Sequence, residues 1–108
     1  MIKVENIPKP LRKEGLKDKI PKICEENDVV FMALFGSFVR GEQRENSDID
    51  IAIKYRPDAK KSLFDVVHLE DELGKIFGRR VDLGELEGIN KHVKKHVKKE
   101  MVVLYEAG

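Results

Sequence analysis

The sequence predicts an α+β fold, a mixed sheet with helices packed on one of its faces, and three stretches carry that reading. Val29-Val30-Phe31-Met32-Ala33-Leu34-Phe35 is an unbroken apolar run rich in β-branched and aromatic residues, the pattern of a buried strand. Ser47-Asp48-Ile49-Asp50-Ile51-Ala52-Ile53 alternates carboxylates with isoleucines. Residues two apart on a strand share a face, so Asp48 and Asp50 project together while Ile49, Ile51 and Ile53 take the other side. Between Ser62 and Gly78 the apolar residues recur at helical spacing. With 108 residues the chain is read as one domain, 1–108, since domains cluster near about 100–150 residues.

The elements follow in order. Residues 1–15 carry Pro8 and Pro10 and no sustained periodicity, so they read as an irregular arm, ordered where Leu11 or Leu16 docks. Leu16, Ile20, Ile23 and Cys24 form one helical stripe. Asp18 is a suitable N-cap, and Pro21 suits only a first turn, so the helix is placed at about Asp18 to Glu26, ended by Asn27-Asp28. Cys24 is the only cysteine; no intramolecular disulfide is possible, and it reads as a small hydrophobe within that stripe. The first strand ends at Gly36-Ser37, where glycine lets the backbone turn and approach a ligand. A polar loop then leads to the second strand, which runs to Lys54 or Tyr55.

Ser62 and Asp65 resemble a capping box, and Leu63, Val66, Val67, Leu69, Leu73, Ile76 and Phe77 supply the apolar face of the helix they open. Gly78 stands where a C-cap glycine belongs. Gly74 costs the helix interior about 1 kcal/mol relative to alanine, which points to close packing. His68 reads as a surface histidine. Arg79-Arg80-Val81-Asp82-Leu83 is a third strand, with one carboxylate between apolar neighbours. A last helix opens near Asn90, with Val93, Val97 and Met101 on one side and Lys91, Lys94, Lys95, Lys98 and Lys99 over the rest. His92 and His96 have metal-binding spacing but no evident third ligand, so they read as part of that basic face. Val102 to Glu106 is a short edge strand.

Charge narrows the possibilities. The net charge is +1, from 21 basic and 20 acidic residues, so the chain is not expected to bind nucleic acid as a whole. No signal-like segment opens the sequence, and no apolar run approaches the roughly 20 residues of a membrane span, so the expected location is cytoplasmic.

The chemistry concentrates between Gly36 and Asp50. Two crowded carboxylates repel each other and raise each other's pKa unless a cation sits between them. Hard oxygen ligands suit Mg²⁺, and two such ions can clamp the attacking and leaving oxygens of a phosphoryl group. Gly36 and Gly41 have the outer spacing of a P-loop, but Glu42 and Gln43 stand where its Lys and Ser/Thr belong, so that motif fails. The combination of a strand, Gly36-Ser37, ten residues, Asp48-Ile49-Asp50 and a second strand resembles the DNA polymerase beta superfamily of nucleotidyltransferases. More closely it resembles the small, single-domain minimal nucleotidyltransferases, and Arg40-Gly41-Glu42 and Ser47 also resemble their usual filling.

The resemblance implies the nucleotidyltransferase fold, ATP as substrate and two Mg²⁺ ions. It makes Asp48 and Asp50 metal ligands and catalytic residues. Asp82 becomes the third such carboxylate, with Glu85 and Glu87 as fallbacks. Gly36, Ser37, Arg40 and Ser47 become nucleotide-binding residues. It further implies a partner, a small helical HEPN-domain toxin that the chain silences as antitoxin by placing AMP on a tyrosine. Two other readings stand beside it: a binding module that neutralises its partner by contact alone, and transfer to a small molecule or RNA.

Overall fold

A computed structural model describes residues 7, 9–44, 47–86 and 101–107. Four strands form one mixed sheet: β1 (Val29–Phe35), β2 (Ile49–Tyr55), β3 (Val81–Glu85) and β4 (Val102–Glu106). Their order is β3-β2-β1-β4, so β3 and β4 are the edges. β1 pairs antiparallel with both β2 and β4, whereas β2 and β3 run parallel, joined by the long helix α3 (Leu63–Phe77). Helix α1 (Leu16–Glu26) precedes β1, and a four-residue helix, α2 (Ser37–Arg40), follows it.

Alternation along β2 decides which face is the core. Ile49, Ile51 and Ile53 are buried with Ile20 and Ile23 of α1 and with Leu69, Leu73 and Phe77 of α3. Each such side chain contributes roughly 1.5–3 kcal/mol by leaving water. The opposite face holds a smaller apolar cluster of Ala52 and Leu86 with Phe31 and Phe35 against it. The carboxylates lie at one end of that second face.

Several boundaries differ from the sequence reading, each for a physical reason. α1 begins at Leu16 with Gly15 as its N-cap, so Asp18 lies in the first turn and is not the cap. Its charge still favours the helix N-terminus. Pro21 therefore lies inside the helix, past the first turn. The N-terminal arm is anchored by Ile7 as well as Leu11, both in the core, with a 3₁₀ turn over Lys9–Leu11. The expected polar loop after Gly36-Ser37 starts instead as α2, because Phe38 is drawn into the core. β2 starts at Ile49, leaving Asp48 just ahead of it, and β3 spans Val81–Glu85, two residues later than expected at each end.

α3 matches its signals closely. Ser62 is the N-cap, and the Asp65 carboxylate accepts from the Ser62 N–H at 2.8 Å and from its hydroxyl at 3.1 Å. Those two bonds, the backbone one first, hold the Asp65 carboxyl below its usual range. Gly78 closes the helix in the left-handed region, φ 68°. Gly74 has the close neighbour expected of it: a Cβ there would lie 3.1 Å from the carbonyl oxygen of Arg79. The apolar face is narrower than its sequence pattern. Leu63 is 76% exposed because the helix meets the core only from Val66 onward, and Val67, next to Val66, is still 54% exposed. Glu70 then reaches the edge strand, its Oε2 accepting from the Leu83 N–H at 3.0 Å and occupying a donor that an edge would otherwise leave open. β4 forms as the expected edge strand, while the expected Asn90 helix, with His92, His96 and Lys91–Lys99, lies outside the described residues.

Candidate active site

The end of the sheet where β1 stops and β2 and β3 start gathers the carboxylates. Phe35, the last residue of β1, pairs with Asp50, and Asp50 is in register with Asp82 across the parallel β2–β3 ladder. Side chains in register across a ladder share a face, so both carboxylates leave the sheet on the side away from the core. Asp48 precedes the ladder by one residue and is exposed, as is Asp82; Asp50 is half-buried.

Gly36 follows Phe35 and turns with φ 85°, a conformation that costs a side-chain-bearing residue about 1–2 kcal/mol. A second reason for glycine is space. A Cβ built at Gly36 would collide with Asp50 Oδ2 and stand 3.1 Å from Asp50 Cγ. The turn and the carboxylate thus touch. The N–H groups of Val39 and Arg40 fold back onto the Gly36 carbonyl, at 3.1 and 3.2 Å. The helical ladder of α2 offers no acceptor for those of Ser37 and Phe38.

Electrostatics single out Asp50. Burial pushes its carboxyl above the usual range, and the charges of Asp82 and then Asp48 push it further, while Arg40 pulls it down. Its neighbours therefore act on it as a cluster. Among the described residues no three His, Cys, Asp or Glu side chains are gathered in a group that could hold a metal ion. Asp48 and Asp82 are exposed, and exposed side chains change rotamer in picoseconds to nanoseconds, so neither carboxylate is locked in one orientation. The donor set is all-oxygen, acceptor-only when ionised, and self-repelling, which fits a hard divalent ion.

Arg40 pairs with Glu42, Nε to Oε2 3.0 Å, and lies close enough to Asp50 to shift it. Ser47 makes two local hydrogen bonds. Its hydroxyl accepts from the Arg44 N–H at 2.7 Å, and its own N–H donates to the Arg44 carbonyl at 3.0 Å, closing the turn that delivers Asp48. Glu85 pairs with Ile53 four residues beyond Ile49, at the other end of the ladder. There it lines a cavity of about 370 Å³ with Tyr55, Arg56 and Lys61, away from the carboxylates. Glu87 lies outside the described residues. Cys24 is buried and its thiol is pushed up to about 12, which leaves it inert. His68 is on the surface beside Glu72, 2.7 Å away.

Sequence reasoning had no means of finding that Arg79, ahead of β3, places its guanidinium carbon 5.2 Å from the centroid of the Phe38 ring, directly after Ser37. The pair is far apart in the chain, and neither residue belongs to a motif.

Against known proteins, the family described as polymerase beta, nucleotidyltransferase matches residues 18–108. A Methanocaldococcus jannaschii protein provisionally named a protein adenylyltransferase is 38% identical over 91 residues, 83% of this chain and 84% of its own. Among solved structures, a chain from a toxin–antitoxin complex with AMP-PNP superposes with a TM-score of 0.69 at 27% identity, covering 84% of this chain and 73% of that one. A chain from the complex of a tri-AMPylated Shewanella oneidensis HEPN toxin with its MNT antitoxin superposes with a TM-score of 0.62 at 22% identity, over 85% and 71% of the two chains, a likeness of fold.

Proposed function

The chain belongs to the nucleotidyltransferases of the polymerase beta family, and on that premise we propose that it transfers AMP from ATP to a tyrosine hydroxyl of a helical, HEPN-type partner, acting as its antitoxin. The contact between the Gly36 turn and Asp50 carries the reading, because it sets backbone donors for phosphate against carboxylates for metal. The named activity of the M. jannaschii relative and the nucleotide and toxin in the structural neighbours support it.

Asp48 and Asp50 would hold the Mg²⁺ that accompanies the triphosphate, and Asp82 would join them around a second ion. Bound there, divalent ions neutralise phosphate charge and lower the pKa of an attacking hydroxyl. The chain's own groups do the rest. The Gly36-Ser37 turn receives the phosphates, and Arg40 adds positive charge beside Asp50. Ser47 keeps the turn closed so that Asp48 stays at the site. The acceptor oxygen forms a bond to the α-phosphorus as the bond from that phosphorus to the bridging oxygen breaks. Pyrophosphate leaves, and the hydroxyl proton passes to an Asp82 carboxylate oxygen. Positioning and charge supply most of the rate in such transfers.

Asp82→Ala separates the two halves of this scheme. The variant is expected to keep ATP binding within a few-fold and to lose turnover, since Asp82 serves the acceptor side. Isothermal titration with Mg²⁺-ATP and transfer of label from ATP carrying it at the α-phosphate, with γ-labelled ATP in parallel, check the two halves. Normal turnover in the variant would remove Asp82 from the mechanism, and label moving from the γ-phosphate instead would make the reaction phosphoryl transfer.

A further inference from the structure

Helix α3 carries a second apolar face that its own sheet does not cover. Leu63 and Phe64 are 76% and 86% exposed, and Val67 is 54% exposed. Single apolar residues scattered over a surface are ordinary, but these three stand together in the first two turns of one helix. At 3.6 residues per turn, Leu63, Phe64, Val67 and Asp71 share about 100° of its circumference. Leu69, Leu73 and Phe77, which anchor α3 in the core, lie on another side.

The charges at the two ends of the patch are opposite in sign. The loop ahead of it carries Arg56, Lys60 and Lys61 against one carboxylate, Asp58. Asp28 holds Lys61 at 3.0 Å and Arg56 at 3.8 Å, whereas Lys60 is exposed and has no ion pair among the described residues. The positive end of the helix dipole adds to it. Beyond the patch stands Asp71, whose pair with Lys75 at 3.3 Å joins two side chains 68% and 77% exposed and is therefore weak and easily exchanged. Asp65 and Glu72 are engaged with Ser62 and His68. A face that is basic at one end, apolar in the middle and acidic at the other matches a copy of itself turned end for end.

We infer that two copies of this chain associate through α3, antiparallel about a two-fold axis passing between Phe64 and Val67. Phe64 then meets Val67 of the second copy, and Lys60 meets its Asp71, because the two pairs share one midpoint along the chain. An isologous contact makes each of these pairings twice. Three apolar side chains from each copy make a small interface, at the weak and reversible end of the range. The patch opens α3, past the end of β2, while Asp48 and Asp50 stand at the start of that strand, so both sites stay open. The association is independent of the transfer reaction proposed above.

Sedimentation equilibrium of the full chain alone, from micromolar to near-millimolar concentration, tests it. Wild type is expected to show a monomer–dimer equilibrium. Phe64→Ala should weaken the dimer by about tenfold or more, the scale of a central anchor lost from both copies. Lys60→Glu and Asp71→Lys should each weaken it several-fold, and the double variant should recover, since opposite charges meet again across the axis. All three positions are exposed, so melting curves should show the fold intact. Wild type that stays monomeric at every concentration would overturn the inference, including the case in which only a different protein covers the patch. A dimer that Phe64→Ala leaves unchanged, or that the double charge reversal does not restore, would overturn it as well.

Discussion

Asp50→Asn is expected to abolish nucleotidyl transfer while leaving the protein, in metal-free buffer, as stable as wild type or more so. Burial and the charges of Asp82 and Asp48 raise the Asp50 carboxyl, so its folded-state pKa exceeds its unfolded value of 3.8. Between those two values the folded state binds more protons than the unfolded state, and stability falls as pH rises. Above the raised value the whole penalty is present. A neutral amide of the same shape removes it at pH 7. Saturating Mg²⁺ removes it in wild type only, so the melting-temperature order of the two proteins should narrow or invert when the ion is added. The loss of transfer should exceed the roughly 10–100-fold that follows removal of a group merely supporting a metal ligand. Asp48→Asn should lose transfer equally. Thermal melts with and without Mg²⁺, together with transfer assays, check both variants. Transfer at the wild-type rate in either would remove these carboxylates from the metal site.

Gly36→Ala is the other change with a large expected effect, because it fails for two independent reasons. The backbone at φ 85° costs a residue with a Cβ about 1–2 kcal/mol, and the added carbon meets the Asp50 carboxylate. Each kcal/mol lost lowers the melting temperature of a domain of roughly this size by about 4–8 °C. The variant should therefore melt well below wild type and transfer nothing, since the turn can no longer approach Asp50. Combining it with Asp50→Ala separates the two causes. Truncating Asp50 removes the collision but not the backbone strain, so the double variant should be more stable than the sum of the single effects by at least about 0.5 kcal/mol, the usual lower range for residues in contact. Strict additivity would mean that the turn and the carboxylate do not touch.

Much of this was legible from local pattern. The alternation of Ile49, Asp50, Ile51 and Ile53 separated the core face from the carboxylate face, and the structure divides them in the same way. Ser62, Asp65 and Gly78 marked both ends of α3, because caps are short-range chemistry. The N-cap of α1 was missed locally, at Gly15, but other failures depended on a neighbour distant in sequence. Phe38 turned the expected loop into α2 by entering the core. Leu63 carries the helical period of α3 but precedes its packed part, as does Phe64, 86% exposed, while Val67 lies within that part yet stays 54% exposed. Asp82 could be read as an edge-strand carboxylate, and β3 is indeed an edge. The resemblance nonetheless points to it as the third carboxylate, and the register sets it beside Asp50. The stacking of Arg79 on Phe38 had no signal in the sequence at all.

Whether the acceptor is a protein is the centre of the account. Asp48 and Asp82 are exposed, so the carboxylates are open to a docking partner. Alignment of the acceptor is worth about 7–11 kcal/mol of a barrier when complete, and on the proposed reading the docked partner supplies it. The direct measurement is intact and peptide mass spectrometry of a helical HEPN-type partner after incubation with this chain, Mg²⁺ and ATP. The account predicts whole AMP increments on the partner, located at tyrosine and absent with Asp50→Asn. An unmodified partner, with AMP found only on RNA or a small alcohol, would contradict it.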